Sequence, residues 1–384
     1  MSKSTVKAKL LVLGVHLDSE GYPNVRYRIR DLEKSRWCEL TEINVPMWRE
    51  GIQLKHSKTR LVSGLFRAIF AHLSVAIKYV TRERGAALVY IPYPSVFIGL
   101  ALSLLPRVTR PNIVVLDAFI SLYDTIVNDR KLLPPSSWVS VMLKRLEKLA
   151  FTFADIVIVD TPQNVSYFCK EFGLPKSKVV DIPLSTNEQD FRFQPYQTKD
   201  DVCRVLFVGT FIPLHGVDAI FKAVTLLRDC EHIQFRVVGT GQTSQTVGDK
   251  IEKDEPNLEW VLEWQTSNNL ASMIGEADIC LGIFGAGEKA QRVCPLKIYN
   301  YAACGRPIIT GETAWSRYAT KDLAYKPFET APVNDGVALA NRIKQLANSR
   351  EDRQRLAENS RRFYEEQLSN EIAFSRLESL LRGH

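Results

Sequence analysis

The stretch from Ala277 to Thr313 constrains the fold more than any other part of the 384-residue chain. Ala277-Asp278-Ile279-Cys280-Leu281-Gly282-Ile283-Phe284-Gly285 is a short apolar run of the kind that forms a parallel strand buried on both faces. Ala286 to Cys294 reads as a loop of small and charged residues. Pro295 then falls where proline is best tolerated, at the first position of a helix whose amide hydrogen would have no partner anyway. Gly305 supplies a left-handed stop, and Pro307-Ile308-Ile309-Thr310-Gly311 a second strand. The unit is therefore β-loop-α-β, with a helix N-terminus at the carboxyl end of a strand, a geometry that binds phosphate. Two cations bracket that N-terminus, Arg292 before it and Lys297 in its first turn, where the helix dipole would favour acidic residues instead. They read either as solvated surface charges or, with the amides of Val293 to Leu296, as a diphosphate site.

A chain of this length exceeds what one hydrophobic core usually serves, which predicts two domains. Its seven cysteines stand without CxxC spacing and several lie in apolar runs, so they read as reduced core thiols. The six histidines stand alone, so no metal site is expected. The basic N-terminus leads directly into a strand rather than a signal-peptide core, which predicts a cytoplasmic protein. Residues 1–190 carry 26 Lys and Arg against 18 Asp and Glu, whereas the remainder is nearly neutral. The basic half either faces something anionic, such as a lipid headgroup surface at the inner face of the cell membrane, or is merely solvated. Nothing points to nucleic acid.

From the N-terminus, Ala8 to Val15 reads as a parallel-type strand, followed by a loop from His16 to Pro23 that contains Gly21 but no GxGxxG, so no dinucleotide site is supported. Thr59 to Glu83 is expected to be a long helix with Leu61, Leu65, Ile69, Leu73, Ile77 and Val80 buried against the sheet. Its other positions carry several arginines and lysines, so an amphipathic helix lying on a membrane is the alternative. Ala87 to Ile91 and Ile113 to Asp117 are the next strands, the second delivering Asp117 and then Asp124 into a loop where ligands of open α/β sheets sit. Asp117 either serves as an acid facing the ligand or caps its own loop. Thr161-Pro162 predicts a capped helix start and Gly173 its end. Ser185 to Lys199 is polar and proline-bearing, a linker. The second half restarts with a strand from Val202 to Gly209, a loop from Thr210 to His215, and a helix from Gly216. Gly241 and Trp264 follow its next strands, and two helices, about 338 to 348 and 351 to 382, close the chain with a Phe363, Tyr364, Leu368 stripe.

Three segments carry a resemblance. Gly173-Leu174-Pro175-Lys176 through Pro183, with Phe191 and Pro195, Phe207-Val208-Gly209-Thr210 through His215-Gly216, and Glu276-Ala277-Asp278 through Ala303-Cys304-Gly305-Arg306-Pro307 are similar to signatures of the GT-B glycosyltransferases of family 4. The resemblance implies two Rossmann-like parallel-sheet α/β domains facing across a cleft. An acceptor-binding domain spans 1–190, a linker 191–200 and a donor-binding domain 201–350. A helical segment, 351–384, packs back on the first domain. It implies a retaining, metal-independent transferase with a nucleoside diphosphate sugar as co-substrate, no bound cofactor, and a saccharide or lipid-linked acceptor. Donor contacts fall on Gly209, Thr210, His215, Gly216, Gly241, Trp264, Arg292, Val293, Leu296, Lys297 and Asn300. The residues' own chemistry, rather than the resemblance, puts catalytic carboxylates at Asp117, Asp124 and Glu288 and the acceptor side at His16 and Gly21. The sequence departs from the family pattern at the paired glutamates, where Arg292 and Asn300 stand, and in the first donor loop, where His215 replaces the usual lysine. Those departures keep a non-catalytic regulatory or scaffolding relative open, and a sugar-nucleotide epimerase less so.

Overall fold

The structure, a computed structural model, describes residues 7–18, 23–47, 58–198, 200–248 and 255–383. It forms two compact units, one taking the chain up to Ser185 together with the residues from Ala373 onward, the other running from Thr186 to Ile372. The first unit contains β1 (Ala8–Gly14), α1 (Pro23–Lys34), β2 (Cys38–Asn44), α2 (Lys58–Arg82), β3 (Leu88–Ile91) and α3 (Val96–Ser103). It continues with β4 (Ile113–Asp117), α4 (Trp138–Phe153), β5 (Ile156–Val159), α5 (Pro162–Phe172) and β6 (Val179–Asp181). The second unit holds β7 (Cys203–Val208), α6 (Val217–Leu226), β8 (Ile233–Val238), α7 (Ser244–Gly248), β9 (Leu258–Val261) and α8 (Ser267–Glu276). Then come β10 (Ile279–Leu281), α9 (Glu288–Arg292), α10 (Leu296–Ala303), β11 (Ile308–Gly311), α11 (Ala314–Thr320), β12 (Glu329–Ala331), α12 (Gly336–Ala347) and α13 (Arg350–Phe363). A last helix, α14 (Asn370–Arg382), contributes Ala373, Leu377 and Leu381 to the core of the first unit.

Each unit is built on a six-stranded sheet, in the orders β2-β1-β3-β4-β5-β6 and β12-β11-β10-β7-β8-β9, and every paired neighbour is parallel. The strands are short and apolar because both faces are covered by helices. In the first unit Leu11, Leu13, Val89 and Leu116 face the core under α2 to α5, while Leu10, Val12, Tyr90 and Val115 face α1 and α14. This alternation is the two-residue period of a strand. Local signals hold at the helix ends. Thr161 caps α5 by accepting from the Asn164 amide at 3.2 Å, with Pro162 at the first helical position, and Gly173 ends it at φ 68°.

Four expectations need correction. Helix α2 buries Ala71, Val75 and Tyr79, whereas Ile69, Leu73 and Ile77 are 48, 57 and 63% exposed. The helix carries two apolar stripes, and the sheet takes the one formed by Ala71, Val75 and Tyr79. The segment expected to pack as one element over 351–384 divides, with α13 in the second unit and only residues from Ala373 in the first. The boundary between units falls between Ser185 and Thr186 rather than across 191–200. Asp124 is buried, and it opens a π-helical turn in which its carboxylate accepts from Asn128 Nδ2 at 3.2 Å.

Asp117 is also buried, with no exposed surface. Its carboxylate accepts from the Arg28 guanidinium and from Tyr90 Oη at 3.0 Å, while the Phe119 amide lies 3.3 Å from its other oxygen. Arg28 in turn donates to the carbonyls of Ile182 and Pro183 at 3.1 and 2.9 Å. Burial opposes the charge on Arg28, but Asp117 and Tyr90 outweigh it and hold the guanidinium above its ordinary pKa. The group ties α1, β3, β4 and the exit of β6 together inside one unit. Asp117→Ala would leave a buried cation without its carboxylate, at a cost of about 3–5 kcal/mol. Urea unfolding is expected to show that loss, and an alanine variant as stable as the parent would contradict it.

Candidate functional site

The second unit gathers its loops at the carboxyl ends of β7, β8 and β10, where open parallel sheets hold ligands. After β7 the chain passes Gly209 and Thr210 and makes a single 3-10 turn, Pro213–His215, before Gly216 at φ 60° starts α6. Gly216 is required there twice over, by its left-handed backbone and because a Cβ would stand 2.3 Å from the Phe284 carbonyl carbon. The close approach lets the loop after β10 bond to the loop after β7. Phe284 and Gly285 amides donate to the carbonyls of His215 and Leu214 at 2.9 and 3.2 Å.

Helix α10 begins beside these loops. Pro295 is its N-cap residue rather than its first helical residue, with ψ 143°, and the preceding stretch folds into α9 instead of an open loop. The first amides of a helix have no partner within it, and here only that of Ile298 turns back, to the Pro295 carbonyl at 2.9 Å. Gly305 closes the helix at φ 68°, as the sequence predicts.

Lys297 points inward from the first turn and is only 9% exposed. Its Nζ has no hydrogen-bond partner and stands 3.9 Å from the centre of the Phe207 ring. His215 is 7% exposed, its Nδ1 is likewise unpartnered, and its ring meets Phe207 edge-on at 5.8 Å. A Cβ at Gly209 would lie 2.8 Å from both Lys297 Nζ and His215 Cε1, so the two nitrogen-bearing groups converge on this glycine. Burial drives the Lys297 pKa well below its ordinary value. Burial, then the nearby Lys297, drives that of His215 well down, against a hydrogen bond that the ring donates to the Thr210 backbone. A desolvated cation with no counter-ion is costly.

The remaining expected donor residues scatter around this centre. Asn300, one turn beyond Lys297, is half-buried and accepts from the Thr186 hydroxyl. Arg292 ends α9, with its Nε donating to the Glu288 carbonyl at 3.2 Å, and Glu288 is exposed at the start of that helix. Val293 and Leu296 flank the N-cap and are partly buried. Gly241 packs on the backbone of Phe211, where a Cβ would fall 2.7 Å from the Phe211 nitrogen, and Thr210 is exposed. Trp264 is 73% exposed beyond β9, apart from the Lys297 cluster. In the first unit, His16 is buried with Nε2 3.1 Å from Glu42 and 3.3 Å from Asn44 Nδ2. Gly21 lies outside the described residues. Among those residues no group of three or more His, Cys, Asp or Glu is placed to hold a metal ion.

Sequence reasoning missed two residues. Phe207 forms the floor under Lys297, and the signal was available, because it lies two positions before Gly209 on the same face of β7. Glu147 projects from α4 and receives Ser121 Oγ, the Leu122 amide and the Tyr123 amide at 2.7, 2.7 and 3.1 Å, fixing the loop after β4. Burial pushes its carboxyl up to about 7 against those three donors.

Because the folded pKa of His215 is depressed, the unfolded chain takes the proton first. Its contribution to stability is complete above about pH 6.5 and is lost as pH falls from there toward the folded value. The difference in urea stability between the parent and His215→Gln is expected to change over that window. A difference constant with pH would mean that His215 titrates normally.

Residues 203–349 match the family described as Glycosyl transferases group 1. No curated protein matches the chain in sequence. Among solved structures, sucrose-phosphate synthase from Thermosynechococcus elongatus superposes with a TM-score of 0.69 at 16% identity, covering 98% of this chain and 99% of that one. HepE from Anabaena in complex with UDP gives 0.67 at 12% identity over 99% and 100%. A glycosyltransferase from Rickettsia africae gives 0.60 at 11% over 98% of each. At these identities the likeness establishes the fold, the two-domain α/β architecture of GT-B glycosyltransferases, as the sequence resemblance implies.

Proposed function

We propose that the protein transfers a sugar from a nucleoside diphosphate sugar to an acceptor hydroxyl. One observation carries the reading: Lys297 and His215, both buried and both with an unpartnered nitrogen, converge under Gly209 at the carboxyl end of a parallel strand and beside the start of α10. The group that fits such a place is a diphosphate, whose oxygens would accept from Lys297, His215 and the first amides of α10. The match of residues 203–349 to group 1 glycosyltransferases and the UDP held by HepE support the same substrate class.

The chemistry follows from that placement. As the bond between the anomeric carbon and the phosphate oxygen breaks, charge grows on the leaving diphosphate. Fixed donors in a desolvated pocket stabilise that charge without reorganising. Lys297 and His215 are the principal donors in this reading, with Arg292 at the rim, and transfer proceeds with retention and without a metal. Glu288 faces the donor sugar in place of the family's first glutamate, and Asn300 takes the ribose hydroxyls. Asp117, locked to Arg28, is assigned to the fold rather than to the reaction. The acceptor is a saccharide or a lipid-linked sugar bound by the N-terminal unit. Free, largely buried cysteines fit a reducing, cytoplasmic setting.

The departures at Arg292 and Asn300 leave a binding module without turnover as the second reading. Incubation with a panel of nucleoside diphosphate sugars separates the two, because a transferase releases free nucleotide slowly by hydrolysis and a binding module releases none. Lys297→Met keeps the length of the side chain and removes its charge. It is expected to weaken nucleoside diphosphate binding by about 1.5–3 kcal/mol in calorimetry, the scale of a charge-assisted hydrogen bond, while the melting temperature of the free protein holds or rises. Unchanged affinity would move the diphosphate site elsewhere.

A further inference from the structure

Helix α2 presents its second apolar stripe to solvent. Phe66, Ile69, Phe70, Leu73 and Ile77 recur at three- and four-residue spacing and are 69, 48, 68, 57 and 63% exposed, opposite the buried Ala71, Val75 and Tyr79. At about 100° per residue the five fall within an arc of about 100°, the width of a face that normally packs on a core. Arg67 and Lys78, about three turns apart, run along one flank of the stripe. The whole helix carries five Lys and Arg and not one Asp or Glu. On the neighbouring α3, Phe97 is 38% exposed and meets the His72 ring of α2 edge-on at 5.7 Å, extending the apolar surface sideways. No helix among the described residues is long and apolar enough to cross a membrane.

We propose that this face of α2 seats on an anionic lipid surface, with Phe66, Phe70, Leu73 and Ile77 in the interfacial layer and Arg67 and Lys78 against the headgroup phosphates. Exposed aromatic and branched aliphatic side chains on one face, with cations alongside, are what an interfacial helix needs. The charge pattern also selects among occupants. A symmetric contact with a second copy would set the same stripe against itself, bringing cations to cations with no acid on the helix to offset them. Phosphate headgroups supply the missing sign across the whole length of the helix. The inference is independent of the sugar-transfer reading, since it rests on unit-one residues alone.

Flotation of the full chain with vesicles tests it, using phosphatidylcholine alone and phosphatidylcholine with phosphatidylglycerol. Binding is expected to the anionic vesicles only, and to weaken as salt rises, because charges at a surface are screened over about 10 Å at 0.1 M. Phe70→Ser with Leu73→Ser, and separately Arg67→Glu with Lys78→Glu, are expected to reduce binding about tenfold or more. Phe70 and Leu73 are exposed and Arg67 and Lys78 half-buried along the flank, so melting temperatures are expected to hold, and nucleotide binding with them. The proposal is overturned by failure to bind anionic vesicles, by equal binding to neutral ones, or by variants that bind as the parent does. It is overturned in favour of self-association if light scattering finds a dimer that Phe70→Ser with Leu73→Ser dissolves.

Discussion

An ammonium group removed from water without a counter-ion is among the most expensive things a protein core can contain, and burial accordingly holds the Lys297 pKa well below its ordinary value. The surrounding architecture is what makes its position hard to avoid. Its backbone is fixed by the first turn of α10, Phe207 lies under the charge, and the loops after β7 and β10 are bonded to one another through Phe284, Gly285, Leu214 and His215. The quadrupole of one aromatic ring recovers only part of the lost hydration. In the proposed reading, a bound diphosphate would supply the counter-charge that Lys297 does not draw from the protein's own side chains.

Much of this was legible in the sequence because it is local. The β10–α10–β11 unit shows itself through a short apolar run, a proline before a helix and a glycine after it, and each signal concerns residues within a few positions of one another. Lys297 was legible as a cation at a helix start, where the dipole argues against it. Its burial was not, since that depends on Phe207 and His215, which reach it only through the sheet order β10-β7.

The failures share a physical cause. Periodicity fixes the spacing of apolar residues on α2 but not which of two stripes meets the sheet, and the unbroken aliphatic run of Ile69, Leu73 and Ile77 made the wrong stripe a stronger signal than Ala71, Val75 and Tyr79. Asp117 sits where ligand-facing residues of parallel sheets often sit, but Arg28 and Tyr90 claim it from 89 and 27 residues away. No local pattern announces a partner at that distance. The same holds for Glu147, whose three donors lie in a loop 24 to 26 residues before it.

The central claim is that Lys297 and His215, held uncomfortably in the free protein, receive the diphosphate. Burial depresses both pKa values, and a bound polyanion raises them, so binding must take up protons at pH values between the free and bound titrations. Calorimetry of nucleoside diphosphate binding in buffers of different ionisation enthalpy measures that uptake directly. The expected result is net proton uptake that varies with pH and shrinks in Lys297→Met. Tight binding with no proton uptake at any pH from about 6 to 9 would contradict the account.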